Sequence, residues 1–436
     1  FDAGTDSVRE AVTEQGSAVE LQVLFSSTEE QRDTGATAGE LVLVTSPVSN
    51  AVIAVDASSL GVRWRYAAGA TDAVPVFCRD TVGAGFVLAD QRSEALVRLD
   101  ANTGETLWRT SVARLVGQPL VVADKVLAAT RDGQLIELEL TTGRMVQVVR
   151  CPLAFGHGPA AIGSGERVLQ LGEHSVAFLI SRETMRCLHS YYLGHELGSV
   201  CFPPLLHADQ AFVVEKISDE QSKLHVLSLG DQLQQVASVV INGRVNTPPV
   251  FHRGFVYLAT SDGRLHTVQH TPDDKRRPYR PGPSVVLHEE AGLRNETTFL
   301  TFKSGRIWAA GRGLAVLEPA DGVGPPQVKQ LDKSVRVTQP LQATSASPHL
   351  FCIGVGQAAR LEVQRWDAEQ QRLAVSATLA SASAARLITG NEQNELWNLD
   401  EEGALFKVNW EDVAKSTSSN RVVSSALRLA KEENPP

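Results

Sequence analysis

The sequence predicts an all-β fold, a β-propeller of four-stranded antiparallel blades, and three observations lead there. First, residues 117–150 hold four short strand signals in a row, Leu120–Ala123, Lys125–Ala129, Gln134–Leu140 and Arg144–Val149. The third alternates apolar and polar residues, the period of a half-buried strand. Ala123-Asp124, Arg131-Asp132-Gly133 and Thr141-Thr142-Gly143 separate them, and Asp-Gly and Thr-Gly supply the positive-φ residue that a tight hairpin needs. Second, this meander recurs. Prolines at or near the start of first strands, Pro75, Pro119, Pro159, Pro204, Pro249 and Pro340, are spaced by 44, 40, 45, 45 and 91 residues, so one unit near Thr297 lacks its proline. Proline fits at a strand start, where its missing N–H matters least. Third, no unit shows helical periodicity, and a period of about 40–45 residues is too short for each unit to own a core. Units of this size must bury their faces on one another.

In order, residues 1–39 stand apart: Asp6–Glu14 reads as a short helix, Ala18–Phe25 as a strand and Ser26–Gly39 as a polar loop. The first set is Leu41–Thr45, Ala51–Val55 and Val62–Tyr66; its fourth strand is either Ala18–Phe25 or a C-terminal strand. Val74–Phe77, Gly85–Leu88, Ala95–Leu99 and Thr106–Thr110 form the second, and 117–150 the third. Then come Ala160–Ile162, Arg167–Leu171, Ser175–Ile180 and Cys187–Tyr192, followed by Pro204–His207, Ala211–Lys216, Lys223–Leu229 and Val236–Ile241. The sixth is Pro249–His252, Phe255–Ala259, Arg264–Gln269 and Ser284–Leu287, with a long basic loop, Thr271–Pro283, before its last strand. Thr298–Phe302, Arg306–Ala310, Gly313–Leu317 and Gln327–Leu331 follow, then Pro340–Ala343, Leu350–Val355, Ala359–Arg365 and Arg372–Ala377. The ninth is Ala385–Thr389, Glu395–Asn398, Ala404–Asn409 and Arg421–Leu429, where Leu427–Asn434 is alternatively a helical tail. The count is nine blades, or eight if a weak terminal set is an accessory. The expected organisation is an N-terminal segment 1–39, a propeller 40–410 and a C-terminal segment 411–436.

Composition narrows the function. A formal net charge of −9 argues against a general nucleic-acid binder. No apolar run approaches the ~18 residues of a membrane helix. The chain begins at Phe1, without a visible signal peptide, and reads as a mature form or as part of a longer protein. The five cysteines, Cys78, Cys151, Cys187, Cys201 and Cys352, form no CxxC pair and read as buried small hydrophobes; a Cys187–Cys201 disulfide is possible in an oxidising compartment.

Two turns carry a family resemblance: Ala54-Val-Asp-Ala-Ser-Ser-Leu-Gly-Val-Arg-Trp64 and Arg98-Leu-Asp-Ala-Asn-Thr-Gly-Glu-Thr-Leu-Trp108. In both, Asp-Ala opens the turn, a Gly closes it and Trp stands eight residues after the Asp. The second resembles the tryptophan-docking repeat of quinoprotein-like (PQQ-like repeat) propellers, a class related in architecture to WD40 propellers. The first has its Gly one place later. The resemblance implies that the Trp packs between adjacent blades. Thr142-Gly143-Arg-Met-Val-Gln147 and Arg182-Glu-Thr-Met-Arg-Cys187 keep the hairpin without the Trp. Catalytic members of that family hold pyrroloquinoline quinone and Ca²⁺ and carry a disulfide between adjacent cysteines. This chain has no adjacent cysteines, so it is more similar to non-catalytic members, such as the bacterial propeller lipoprotein of outer-membrane assembly, and the resemblance implies no cofactor and slightly favours an extracytoplasmic, periplasmic location.

The candidate binding residues are His157, in Gly156-His-Gly-Pro159; Tyr191, Tyr192 and His195, in the connection from the fourth set to the fifth; and Lys275, Arg276, Arg277 and Arg280, in the basic loop. His189 and Glu196 accompany the second group. In a propeller, loops entering first strands rim the channel, and loop residues carry function more often than strand residues. A solvated loop or a packed tyrosine is the plain structural reading of each. His266 and His270 share one side of a strand, but further metal ligands are not identifiable. Asn295-Glu-Thr297 matches a glycosylation acceptor. Gly83 and Gly85 read as turn glycines, and Asp90 as a turn acid. No G-x-S-x-G elbow, P-loop or H-E-x-x-H is present, so no catalytic or metal residue is assigned. The expected function is a non-catalytic, monomeric interaction module that binds another protein, or another part of a longer chain, through its loop faces. The alternatives are a quinoprotein-type oxidoreductase or other enzyme with a site in the channel, and a structural module of a longer protein.

Overall fold

In a computed structural model, the described residues are 20–25, 41–46, 51–56, 59, 61–69, 75–194, 196, 198–287, 297–318, 326–338, 340–343, 349–355, 361–378, 386–389, 396–399, 404–408 and 425–428. They are all-β and fall into nine antiparallel sheets, each a meander in chain order. The fold class is a β-propeller of four-stranded antiparallel blades. Ala160–Ile162 and Phe255–Ala259 run where the sequence predicts them, residue for residue. The open question of the first sheet is resolved: Glu20–Phe25 pairs with Leu41–Ser46. The last sheet ends with Ser425–Arg428 paired to Ala404–Val408, so that part of the C-terminal segment is strand. The expected helix at Asp6–Glu14, the loop at Ser26–Gly39 and the Asn295 acceptor lie outside the described residues.

The chain divides into two compact units, Ala68–Ser284, and Phe1–Ala67 with Val285–Pro436. In the first, five sheets stack in sequence order. Val87, Leu96 and Trp108 of the second sheet share a core with Val126, Ile136 and Leu138 of the third. The third sheet then packs its other face, Leu127 and Leu135, on Val168 and Phe178 of the fourth. The same alternation continues through the fifth and sixth sheets. This explains the burial pattern. Second and third strands inside this unit lie between neighbours on both faces, so Val176–Ser181 is buried at every position but its last. Fourth strands are covered on one face only, and Thr106–Ser111 buries chiefly Trp108. In the other unit, Trp308, Val316, Cys352 and Trp366 fill the space between the seventh and eighth sheets. There, Glu20–Phe25 of the first sheet runs beside Arg386–Thr389 of the ninth.

Three expectations are corrected. Gly85, read both as a turn glycine and as the start of the strand Gly85–Leu88, lies inside the strand Ala84–Asp90. A Cβ there would approach Leu99 O to 2.6 Å and Arg98 Nε to 3.0 Å, so the glycine makes room for a buried arginine. The basic loop is shorter than read, because the fourth strand of the sixth sheet is Tyr279–Pro281, with Val285–Val286 a further short strand. Cys187 and Cys201 are free thiols. Cys187 Sγ instead donates to His189 O at 3.4 Å and interacts with Cys151 of the preceding sheet, while Cys201 Sγ donates to Gly198 O and Ser199 O, both at 3.8 Å.

Candidate functional site

Meander topology puts two kinds of loop at each end of a sheet. The turns between second and third strands share one end with the connections between sheets, where His157 and residues 193, 194, 196 and 198–200 lie. The turns between third and fourth strands, including the basic loop, are at the other.

At the connection end, His157 is half-buried and ties sheets together. Its Nε2 is 3.0 Å from Val200 O, at the entry to the fifth sheet. Its carbonyl accepts a hydrogen bond of 2.6 Å from Nε2 of the fully buried Gln170. Beside it Gly158 touches the third sheet so closely that a Cβ would stand 2.6 Å from Gln118 O. The GHGP turn is thus where three consecutive sheets meet. Tyr191 and Tyr192 share a strand, and its alternation separates them. Tyr191 packs against the apolar cluster between the fourth and fifth sheets. Tyr192 is 57% exposed and is the tyrosine this rim presents. Glu196 is exposed, and its carbonyl accepts from Ser175 Oγ at 3.2 Å. His195 lies outside the described residues.

At the opposite end, Asp274 organises the basic loop. Its Oδ1 accepts from the backbone N–H of Arg276 (3.0 Å) and Arg277 (3.1 Å), and its Oδ2 pairs with Arg280. The Arg280 guanidinium and these N–H groups hold the Asp274 carboxyl below the usual carboxylate range. Of the four basic residues singled out from sequence, Arg280 is therefore engaged within the loop, whereas Lys275, Arg276 and Arg277 point outward. His270 stacks on Tyr279, with ring centroids 4.6 Å apart and planes at 13°, and His266 packs against the Asn242 backbone. Among the described residues, no three His, Cys, Asp or Glu groups converge as a metal-binding set.

Sequence reasoning missed the buried polar contacts between sheets. Arg98 is fully buried, and its guanidinium reaches Asp80 Oδ2 (2.5 Å) and Oδ1 (2.8 Å), Gly83 O (2.8 Å) and, across the sheet boundary, Leu140 O (2.9 Å). Arg98 holds the Asp80 carboxyl down to about 2, and burial pushes the neighbouring Cys78 thiol up to about 11. Glu137 of the third sheet pairs with Arg182 of the fourth at 3.4 Å, and burial raises its carboxyl despite that partner. Within the fifth sheet, His225 lies between Glu215 Oε2 (2.8 Å) and Gln235 Oε1 (3.1 Å). The available signal was a charge inside an apolar run, as in Ala95-Leu-Val-Arg-Leu-Asp100. Arg98 and the Glu137–Arg182 pair bridge neighbouring sheets, whereas His225 finds its partners within its own.

Trp108 performs the docking that its motif implies. It is 7% exposed, its Nε1 donates to Leu140 O of the next sheet at 2.7 Å, and its ring lies against Gly143. Trp64 is buried to the same degree, in a fourth strand of the same pattern. The geometry defines a propeller whose blades are locked by aromatic docking turns.

Residues 11–148 match the family model PQQ_2, described as outer membrane protein assembly factor BamB. The match spans less than half of the chain; with the repeat it supports a PQQ-like β-propeller family. Among solved structures, BamB from Moraxella catarrhalis is similar at 16% identity over 72% of this chain and 90% of that one, with a TM-score of 0.48. Dihydro-heme d1 dehydrogenase NirN in complex with DHE is similar at 16% identity, covering 79% of this chain and 74% of that one, with a TM-score of 0.49. The computationally designed Ika8 protein gives 14% identity, 77% and 94% coverage and a TM-score of 0.49. No curated protein sequence matches. No two cysteines are adjacent, so the cysteine pair that the resemblance associates with pyrroloquinoline quinone is missing from this chain.

Proposed function

We propose that this protein is a non-catalytic propeller scaffold that presents its loops to another protein. The observation that carries this reading is where the polar chemistry goes. The buried Arg98 and Glu137, with the half-buried Asp80, Arg182 and His157, are spent on contacts within and between blades, while Tyr192 and the basic loop face outward on a rigid support. A rigid array with exposed loops is suited to recognition. The family description, an outer-membrane assembly factor, supports protein partners and an extracytoplasmic setting. Among the described residues no helix is long and apolar enough to cross a membrane.

The test is cross-linking with mass spectrometry of the tagged full chain in its native extract. Contacts from one partner should concentrate on the loops of one end, and Tyr192→Ala should weaken those at the connection end. A folded protein whose cross-links scatter over strands and loops alike overturns the reading.

A further inference from the structure

The basic loop has two properties that belong together. The first is unused charge. Lys275, Arg276 and Arg277 are exposed, and none forms an ion pair with a carboxylate among the described residues. Their neighbours differ: Arg264 lies 3.6 Å from Asp262, and Arg280 pairs with Asp274. The second is rigidity. Thr271 closes the loop with its N–H on Pro278 O (2.7 Å) and its Oγ1 on Arg277 O (3.0 Å). Asp274 N–H donates back to Thr271 O (3.0 Å), and the Asp274 carboxylate caps Arg276 and Arg277. Behind the tip, Tyr279 is 5% exposed, stacked on His270, edge-on to Phe212 at 5.7 Å and hydrogen-bonded to Gln210 of the fifth sheet.

We infer that Lys275, Arg276 and Arg277 form a preorganised docking point for a short acidic segment of a partner protein. The inference rests on the scaffold reading and names the partner's chemistry. Guanidinium groups pair with carboxylates in a planar, two-pronged geometry. A loop already closed by its own hydrogen bonds loses little freedom on binding. The ligand class follows from the charge distribution. The chain as a whole carries −9, so a long polyanion or an anionic bilayer meets repulsion from much of the surface. A short acidic segment engages the loop within a Debye length of about 8 Å and is spared most of that repulsion.

The experiment uses the full chain and a fluorescein-labelled Asp/Glu-rich peptide, read by anisotropy at low and physiological salt. Binding that weakens with salt, and that falls about tenfold or more in Lys275→Glu/Arg276→Glu/Arg277→Glu with an unchanged melting curve, is expected. Asp274→Ala separates preorganisation from plain charge. It removes a carboxylate and frees Arg280, so charge alone predicts tighter binding, whereas loss of the cap predicts binding weakened several-fold. Equal peptide binding by wild type and the triple variant overturns the inference, as does tighter binding by Asp274→Ala. Loop-dependent binding to phosphatidylglycerol vesicles or single-stranded DNA that exceeds peptide binding also overturns it. Partner cross-links that persist in the triple variant, with no peptide binding, sink this inference alone; peptide binding without partner cross-links to either end sinks the scaffold reading.

Discussion

Trp108 and Gly143 belong to consecutive sheets and touch so closely that no side chain fits between them. A Cβ on Gly143 would stand 2.5 Å from Trp108 Cδ2, and Gly143 itself is at φ +68°. One glycine thus serves two demands: the left-handed turn of its own hairpin, and the flat seat for the neighbour's indole. Gly143→Ala violates both. We expect a loss of about 2–4 kcal/mol, combining backbone strain with overpacking. Urea denaturation checks this, and Trp108 emission should shift to the red in the folded variant.

The Arg98–Asp80 pair gives an acid-dependent signature. The folded Asp80 carboxyl titrates at about 2, below its ordinary 3.8, because Arg98 hydrogen-bonds its charged form. A lowered carboxylate stabilises the fold fully above its ordinary value, and the contribution is lost as pH falls through about 2. Stability should therefore decline between about pH 4 and pH 2, and Asp80→Asn should flatten that decline. The same variant leaves the buried Arg98 charge without its counter-ion, at a cost of about 3–5 kcal/mol at neutral pH. A variant with wild-type stability at neutral pH would show that the pair does not hold the second sheet.

Cys187 should be the thiol most readily alkylated near neutral pH. The hydrogen bond from Cys151 brings it down to about 7, and it is exposed. Cys78 and Cys352 are buried, and burial pushes their thiols up to about 11 and about 12. Iodoacetamide labelling of the native chain, followed by peptide mapping, should modify Cys187 with half-maximal rate near pH 7. Cys151→Ala removes the donor and should move that midpoint toward the ordinary thiol value of 9. An unmoved midpoint would mean that the two thiols do not interact in solution.

Glu215 is packed against Gly194, where a Cβ would fall 1.7 Å from its Oε1, and is hydrogen-bonded to the buried His225. Gly194→Ala should displace the carboxylate and break this contact. A loss of about 1–3 kcal/mol is expected, the cost of forcing an extra methyl into a filled site. Glu215→Gln, which keeps the shape, should lose less than Gly194→Ala; the reverse order would place the cost in the carboxyl's hydrogen bond to His225 and not in the packing.

Much of the fold was legible because its signals are local. Hairpin turns such as Asp100–Gly104 and Thr141–Gly143 fix strand boundaries by backbone chemistry, and the proline spacing counts the units. Even where a motif lost its glycine the turn held: Met185 takes φ +44° in the hairpin that closes without one. The basic loop was legible as a charge run, but the fourth strand of its sheet was not, because Tyr279–Pro281 is only three residues, Tyr-Arg-Pro, and carries no strand signal. Tyr279 is held by stacking on His270 of the adjacent strand and by packing on Phe212, which is distant in sequence.

The sequence by itself determined the repeat, the four-stranded unit, the docking turns and the residues left for the loops, since each depends on a few neighbouring residues and their conformational preferences. Only the tertiary structure decided which polar groups meet. Arg98 finds Asp80 and Leu140, His157 finds Val200, and Cys187 finds Cys151 and not Cys201. Those pairings form between sheets, or between strands far apart in the chain, and follow from how blade faces stack. A buried charge or thiol takes whatever partner that packing brings within reach, and no local pattern records it.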